Sequence, residues 1–286
     1  MTSTRIGIDA GATLAKIAVT GAGGAMAYES LPSTQVAEVI DVIARHQPEV
    51  VGLTGCGARA IEALLSDRGA GGVGRFQEFD AWGAGAHAQL ADETAGAFDE
   101  SEPYLLISLG TGTSVMRVEG GQVTRVGGTA LGGGTVLGLG VALTGCESFA
   151  ELCGWASKGD RTKIDLLVSD IYDDGEIPLS PETTAAAFGS LSRWLAEGRD
   201  RKSAPSREDL AMGVMSLVAE NVGLVCAGIS AMTQTQRWVF GGGTLIENPA
   251  MQEILLRVAS NMGMQAHLLP HGGHAGARGA LELAAS

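Results

Sequence analysis

Two short stretches carry the residue types that can hold a polyphosphate. IDAGATLAKIAV (8–19) enters as an apolar strand, places Asp9 near its end, turns through Gly11, Ala12 and Thr13, and returns with Lys16. ISLGTGTSVMRV (107–118) repeats the design around Gly110, Thr111 and Gly112, with Thr113 opening the return. Phosphate oxygens need donors at close range, and small turn residues let backbone N–H groups approach without side chains in the way. Lys16 can set a point charge on a phosphate. Asp9 can hold a Mg2+ through water, because that ion keeps most of its hydration and takes one or two carboxylates. Either turn alone is also an ordinary tight hairpin; two facing one cleft favour the polyphosphate.

A third stretch, ALGGGTVLGLG (130–140), sets Gly132, Gly133 and Gly134 ahead of a helix predicted from Thr135 onward. Gly is the poorest helix former after Pro. The three therefore read as a loop whose N–H groups join the helix N-terminus in facing an anion.

The elements that must position these residues form a duplicated pattern. Strands are predicted at 5–9, 15–20 and 25–30, a helix over 34–46 after the capping candidates Ser33 and Thr34, a buried strand at 50–55 and a helix at 58–67. A further strand at 75–79 leads into a helix over 80–96 with Asp80 as its N-cap. The strand-turn-strand opening then recurs from residue 103, followed by helices near 135–143 and 148–157. Weak periodicity marks 170–207, and a long helix covers 207–231. RWVFGGG (237–243) is a strand and turn, 249–263 a helix with Pro249 in its first turn, 265–270 a strand and 276–285 a helix. The expected fold is α/β, two similar lobes facing a cleft, divided into residues 1–103 and 104–286.

Composition narrows the partners. The 286 residues carry a net charge of −13, which repels nucleic acid and anionic membranes and leaves any anion to a local site. Gly occurs 43 times, about twice its ordinary share of about 7 %, and the clusters after apolar runs imply tight turns and close backbone approach. Cys56, Cys146, Cys153 and Cys226 show no paired spacing, so neither a disulfide framework nor a zinc or iron–sulfur site is expected, and a reducing cytoplasm fits. No apolar signal core or wholly apolar 18-residue run is read, so a soluble protein is expected. His271 and His274 lack a third ligand nearby and are not taken as a metal site. The four tryptophans read as core or interface residues, and the acidic runs at 92–102 and 170–176 as solvated surface.

In order along the chain, IGIDAGATLAKIAV, QEFDA, SLGTGTS, RVGGTALGGGTVLGLG, KGDRTKIDLLVSDIY, TAAAFG and GGHAGARGAL resemble the successive motifs of the type II pantothenate kinases, members of the acetate kinase, sugar kinase, Hsp70 and actin superfamily. The resemblance runs from residue 5 to about 283. It implies two actin-like (ribonuclease H-like) lobes and transfer of the ATP γ-phosphoryl group to the primary hydroxyl of pantothenate, the first step of coenzyme A synthesis. It further implies a homodimer using Mg2+, with a helical dimerisation region in the second lobe.

Residue by residue, the resemblance makes Gly11 to Lys16 the first phosphate turn and Gly110 to Thr113 the second, with Thr111 and Thr113 contacting phosphate or acceptor. Glu78 in QEFDA takes the place of the catalytic carboxylate, and Arg125 that of an arginine supporting the transferring phosphoryl group and the acceptor. Without the resemblance, Glu78 reads as a first-turn carboxylate favoured by the helix dipole and Arg125 as a strand-face cation. Arg161 in GDR is a candidate for acceptor contact or a plain salt bridge. Gly132, Gly133, Gly134, Thr135, Gly242 and Gly243 complete the nucleotide candidates. Two features depart from the family pattern: Ala12 stands where DAGGT has Gly, and GGGTLIENP (241–249) replaces the small polar residues expected near the base. Two alternatives stay open, a kinase of the same superfamily acting on another small hydroxylated metabolite such as an N-acetylhexosamine, and an inactive nucleotide- or CoA-binding protein.

Overall fold

The computed structural model describes residues 4–67, 72–94, 98, 102–173, 175–196 and 204–286. Apolar runs broken by Gly/Thr turns form a first meander, β1 (Arg5–Ala10), β2 (Leu14–Thr20) and β3 (Met26–Pro32), followed by α1 (Val36–His46), β4 (Val50–Thr54), α2 (Ala58–Asp67), β5 (Val73–Arg75) and α3 (Glu78–Thr94). A second meander, β6 (Tyr104–Leu109), β7 (Thr113–Glu119) and β8 (Gln122–Thr129), leads into α4 (Gly133–Thr144) and α5 (Phe149–Ala156). The weakly patterned middle holds a two-stranded ribbon, β9 (Leu166–Leu167) with β10 (Thr184–Ala186), and α6 (Ser190–Ala196). The chain closes with α7 (Arg207–Thr233), β11 (Arg237–Gly241), α8 (Pro249–Asn261), β12 (Gln265–Leu268) and α9 (Ala275–Ala285).

The duplication is topological. The first sheet runs β3-β2-β1-β4-β5 and the second β8-β7-β6-β11-β12, each an antiparallel meander continued by two parallel strands. One face of the first sheet buries Ile6, Ile8, Ile17 and Leu53 against α1 and α2. The second sheet packs one face on α4, α5, α7 and α8 and the other on α3, through Trp82 and Leu90. α9 returns to the first sheet and lies against α3 so closely that a Cβ at Gly7, Gly52 or Gly279 would fall within 2.0 Å of a backbone oxygen of the α9–α3 layer. These three glycines serve close backbone contact in the core rather than turns.

Three local expectations are corrected. Of 75–79 only Arg75 is strand; α3 begins at Glu78, because the Gln77 carbonyl already accepts Ala81 N, and Asp80 sits inside the first turn rather than at the cap. α1 is preceded by Gln35 with no side-chain cap, because the Ser33 hydroxyl donates instead to Ala12 O at 2.8 Å. α4 begins at Gly133, so two of the three glycines are helical. Of the acidic runs, residues 95–97, 99–101 and 174 lie outside the described residues, as do 95–96 of the expected helix over 80–96. Among the described residues α7 is long and apolar enough to cross a membrane, yet more than half of its apolar stretch is buried inside the protein.

Candidate active site

Strand register brings the first pair of charged groups together. β1 pairs with β2 so that Asp9 lies directly opposite Lys16, and Lys16 Nζ comes within 3.6 Å of Asp9 Oδ2. Burial raises the pKa of Asp9, and the Lys16 charge beside it works the other way. At the corresponding place in the second meander Ser108 faces Ser114, so the repeat keeps the turn but carries no charge there.

The two turns face each other, with Thr13 Oγ1 and Thr111 Oγ1 3.4 Å apart. The Ala12, Thr13, Thr111 and Gly112 amides donate to no protein acceptor among the described residues. They are the donors free for an anion. Between them opens a cleft of about 710 Å3, lined by Asp9, Gly11, Ala12, Thr13, Lys16, Glu78, Gly110, Thr111, Gly112, Thr113, Arg125, Gly133, Gly134 and Gly243 among others.

Glu78 enters at the first residue of α3, open to the cleft. Loss of hydration raises its pKa from the ordinary Glu value, the Asp9 charge adds to this, and Lys16 opposes it. Arg125 reaches the same face because of a β-bulge: Val115 pairs with Gly127 but Met116 with Arg125, leaving Val126 unpaired. Gly128 holds φ at +157°, and a Cβ there would meet Thr113 O at 2.4 Å and Arg125 Nη2 at 2.9 Å, so the guanidinium lies across bare backbone. Arg125 pairs with no carboxylate among the described residues.

Other candidates are placed differently. Gly133 N and Gly134 N donate to Gly110 O (2.8 Å) and Thr111 O (2.9 Å), so these amides hold the second turn and do not face an anion. A Cβ at Gly132 would stand 2.7 Å from Gly112 backbone atoms; the triple glycine permits this docking. Gly132 is outside the cleft lining, as are Thr135, whose hydroxyl donates to Ala130 O, and Gly242. Thr113 lines the cleft, but its hydroxyl is committed to Leu131 O at 2.7 Å. Arg161 is buried away from the cleft, donating to Thr184 Oγ1 and Glu182 O and paired with Glu220 at 3.1 Å. His274 Nε2 lies 3.0 Å from Ser30 Oγ, and both His271 and His274 pack on the Tyr28 ring. Among the described residues no three His, Cys, Asp or Glu side chains converge as a metal site.

Sequence reasoning missed Ser108, Ser114, Trp82, Cys56, Leu137, Phe149 and Thr244 in the lining. Trp82 had a usable signal, standing one helical turn after Glu78 on the same face. Leu137 and Phe149 come from apolar helix faces without a distinguishing pattern.

Paired meander-and-parallel sheets enclosing a glycine-lined cleft place the molecule in the actin-like α/β class. Component A of the (R)-2-hydroxyglutaryl-CoA dehydratase of Acidaminococcus fermentans shares this fold (TM-score 0.62, 17 % identity, 100 % of both chains covered). So does a ROK family glucokinase from Streptomyces griseus (TM-score 0.61, 14 % identity, 98 % of each chain). Within that class the Fumble family model matches residues 18–282. A type II pantothenate kinase of Oceanobacillus iheyensis is 36 % identical over 277 residues, covering 97 % of this chain and 98 % of that one. Another, from Staphylococcus haemolyticus, is 33 % identical over 279 residues, 98 % and 99 % of the two chains. The chain belongs to the Fumble family, that of the type II pantothenate kinases.

Proposed function

We propose that the protein transfers the γ-phosphoryl group of ATP to the primary hydroxyl of pantothenate, giving ADP and 4′-phosphopantothenate. The observation that carries this reading is one cleft holding Glu78, Arg125 and two turns with free amides. The Ala12 and Thr13 amides on one side and the Thr111 and Gly112 amides on the other grip the phosphates, with Lys16 adding charge. Thr13 and Thr111 hydroxyls extend the grip. The Ala12 methyl leaves its amide free, so the departure from Gly does not remove a donor.

A primary alcohol is a poor nucleophile, and a carboxylate within hydrogen-bond reach orients it and takes its proton. Glu78 is assigned that role; its raised pKa improves it as an acceptor. The pantothenate oxygen bonds to the γ-phosphorus, the bond from phosphorus to the bridging oxygen breaks, ADP leaves, and the proton passes to Glu78 and then to solvent. Arg125 presents a planar fork to the charge spreading over the transferring oxygens. Asp9 and Glu78 are close enough for one charge to raise the other's pKa, which suits a hydrated divalent cation arriving with the phosphates. Mg2+ held by Asp9 through water would neutralise charge on the phosphoryl oxygens.

The reading takes residues 1–103 and 104–286 as the two lobes, with α9 of the second packed back on the first sheet, and places them in the cytoplasm where ATP is supplied. A homodimer joined through the helical face is part of it, supported by the exposed Val141 and Leu143 on α4 and Leu224 and Met232 on α7. Incubation with ATP, Mg2+ and pantothenate, followed by mass spectrometry, tests the reaction: phosphorylated pantothenate should form in step with ADP. ADP release with no phosphorylated pantothenate refutes the acceptor.

A further inference from the structure

The GGGTLIENP segment takes no part in the mechanism above, yet one of its side chains reaches the second phosphate turn. Thr244 is 5 % exposed and its hydroxyl donates to Gly110 O at 2.8 Å, across 134 positions of sequence. The same carbonyl accepts Gly133 N at 2.8 Å, so both of its lone pairs are engaged. The trans peptide plane then fixes the next amide: with Gly110 O drawn back toward α4 and Thr244, the Thr111 N–H points the opposite way. That N–H is one of the amides without a protein acceptor.

Thr244 is itself anchored. Its carbonyl accepts Asn248 Nδ2 at 3.1 Å; Asn248 is fully buried, caps α8 through Met251 N, and touches Met215 Sδ on α7. Gly133 leaves the room this needs, because a Cβ there would stand 2.4 Å from Thr244 Oγ1. The first turn has a lighter support, the half-buried Ser33 donating to Ala12 O.

We infer that Thr244 is a positioning residue for the nucleotide phosphates: it ties the second turn to the α8 cap and holds the Thr111 amide toward the cleft. The inference rests on reading the cleft as the ATP site. The test is calorimetric binding of a non-hydrolysable ATP analogue to the wild type and to Thr244→Val, Thr244→Ala and Thr244→Ser, with KM measured for both substrates. Losing one hydrogen bond that leaves a carbonyl under-satisfied should raise the ATP KM and analogue Kd about tenfold in Val and Ala. The pantothenate KM should stay within about twofold, since only uniform nucleotide binding is removed, and Ser should restore the nucleotide constants. If Val fails to fold, the comparison of Ala with Ser decides alone. Unchanged nucleotide constants in the hydroxyl-free variants, or equal losses for both substrates that Ser does not rescue, would overturn the inference. A wild type that binds no analogue would instead overturn the reading of the cleft.

Discussion

Replacing Glu78 by Gln keeps the side chain's size and removes its capacity to take a proton. Glu78 opens α3 and stays exposed to the cleft, so little packing changes. The helix N-terminus loses a favourable charge of about 0.3–1 kcal/mol, while the repulsion from Asp9 that raises the Glu78 pKa disappears. The two nearly cancel, and the melting temperature should barely move. Loss of a general base costs about 10²–10⁴-fold in kcat, or roughly 2.7–5.5 kcal/mol of barrier. The ATP KM should hold within about threefold, because the free amides of the two turns are untouched. The sign of the pH dependence follows from the raised pKa: the base works only when ionised, so wild-type activity falls toward acid through a limb displaced upward from that of an ordinary Glu. Steady-state ADP release with pantothenate, followed across pH, reads both effects. A folded variant within threefold of wild type, or one that keeps the acid limb, refutes the assignment.

Arg161→Leu should destabilise by about 3–5 kcal/mol, tempered by Arg257, which keeps a 3.6 Å contact with Glu220; thermal melts check this, and an unchanged pantothenate KM in the folded variant would separate Arg161 from acceptor binding. Gly132→Ala places a methyl 2.7 Å from Gly112 and should cost about 1–3 kcal/mol by overpacking, with a raised ATP KM in the same preparation. Burial lowers the His274 pKa from 6.5 to about 4, so its contribution to stability is lost as pH falls through that window; burial raises Asp165 from 3.8 to about 6, so its effect runs the other way. His274→Asn should therefore leave stability falling with rising pH between about 4 and 6, read from melting temperatures; a slope identical to wild type would contradict the His274 shift, and a variant whose stability does not fall across that window would contradict the Asp165 shift.

The duplicated architecture was legible because its signals are local. Apolar strands, Gly/Thr turns and helical periods recur in the same order, and the two sheets repeat one strand order. Asp9 and Lys16 were readable for the same reason, as the two arms of one hairpin. What escaped depends on distant partners. Ser33 looks like a helix cap until Ala12 O lies beside it. The triple glycine looks like an anion loop until Gly110 and Thr111 carbonyls take two of its amides. The bulge at Val126 depends on register across β7, and Arg161 meets Glu220 59 residues away. Local pattern carries none of these contacts.

A crystal structure with a non-hydrolysable ATP analogue and pantothenate would show donor, acceptor and Glu78 together. The γ-phosphate should lie between the Thr13 and Thr111 turns, and the primary hydroxyl of pantothenate within about 3.2 Å of the Glu78 carboxylate. Pantothenate bound with that hydroxyl beyond the reach of Glu78, or phosphates seated away from the two turns, would contradict the proposed transfer.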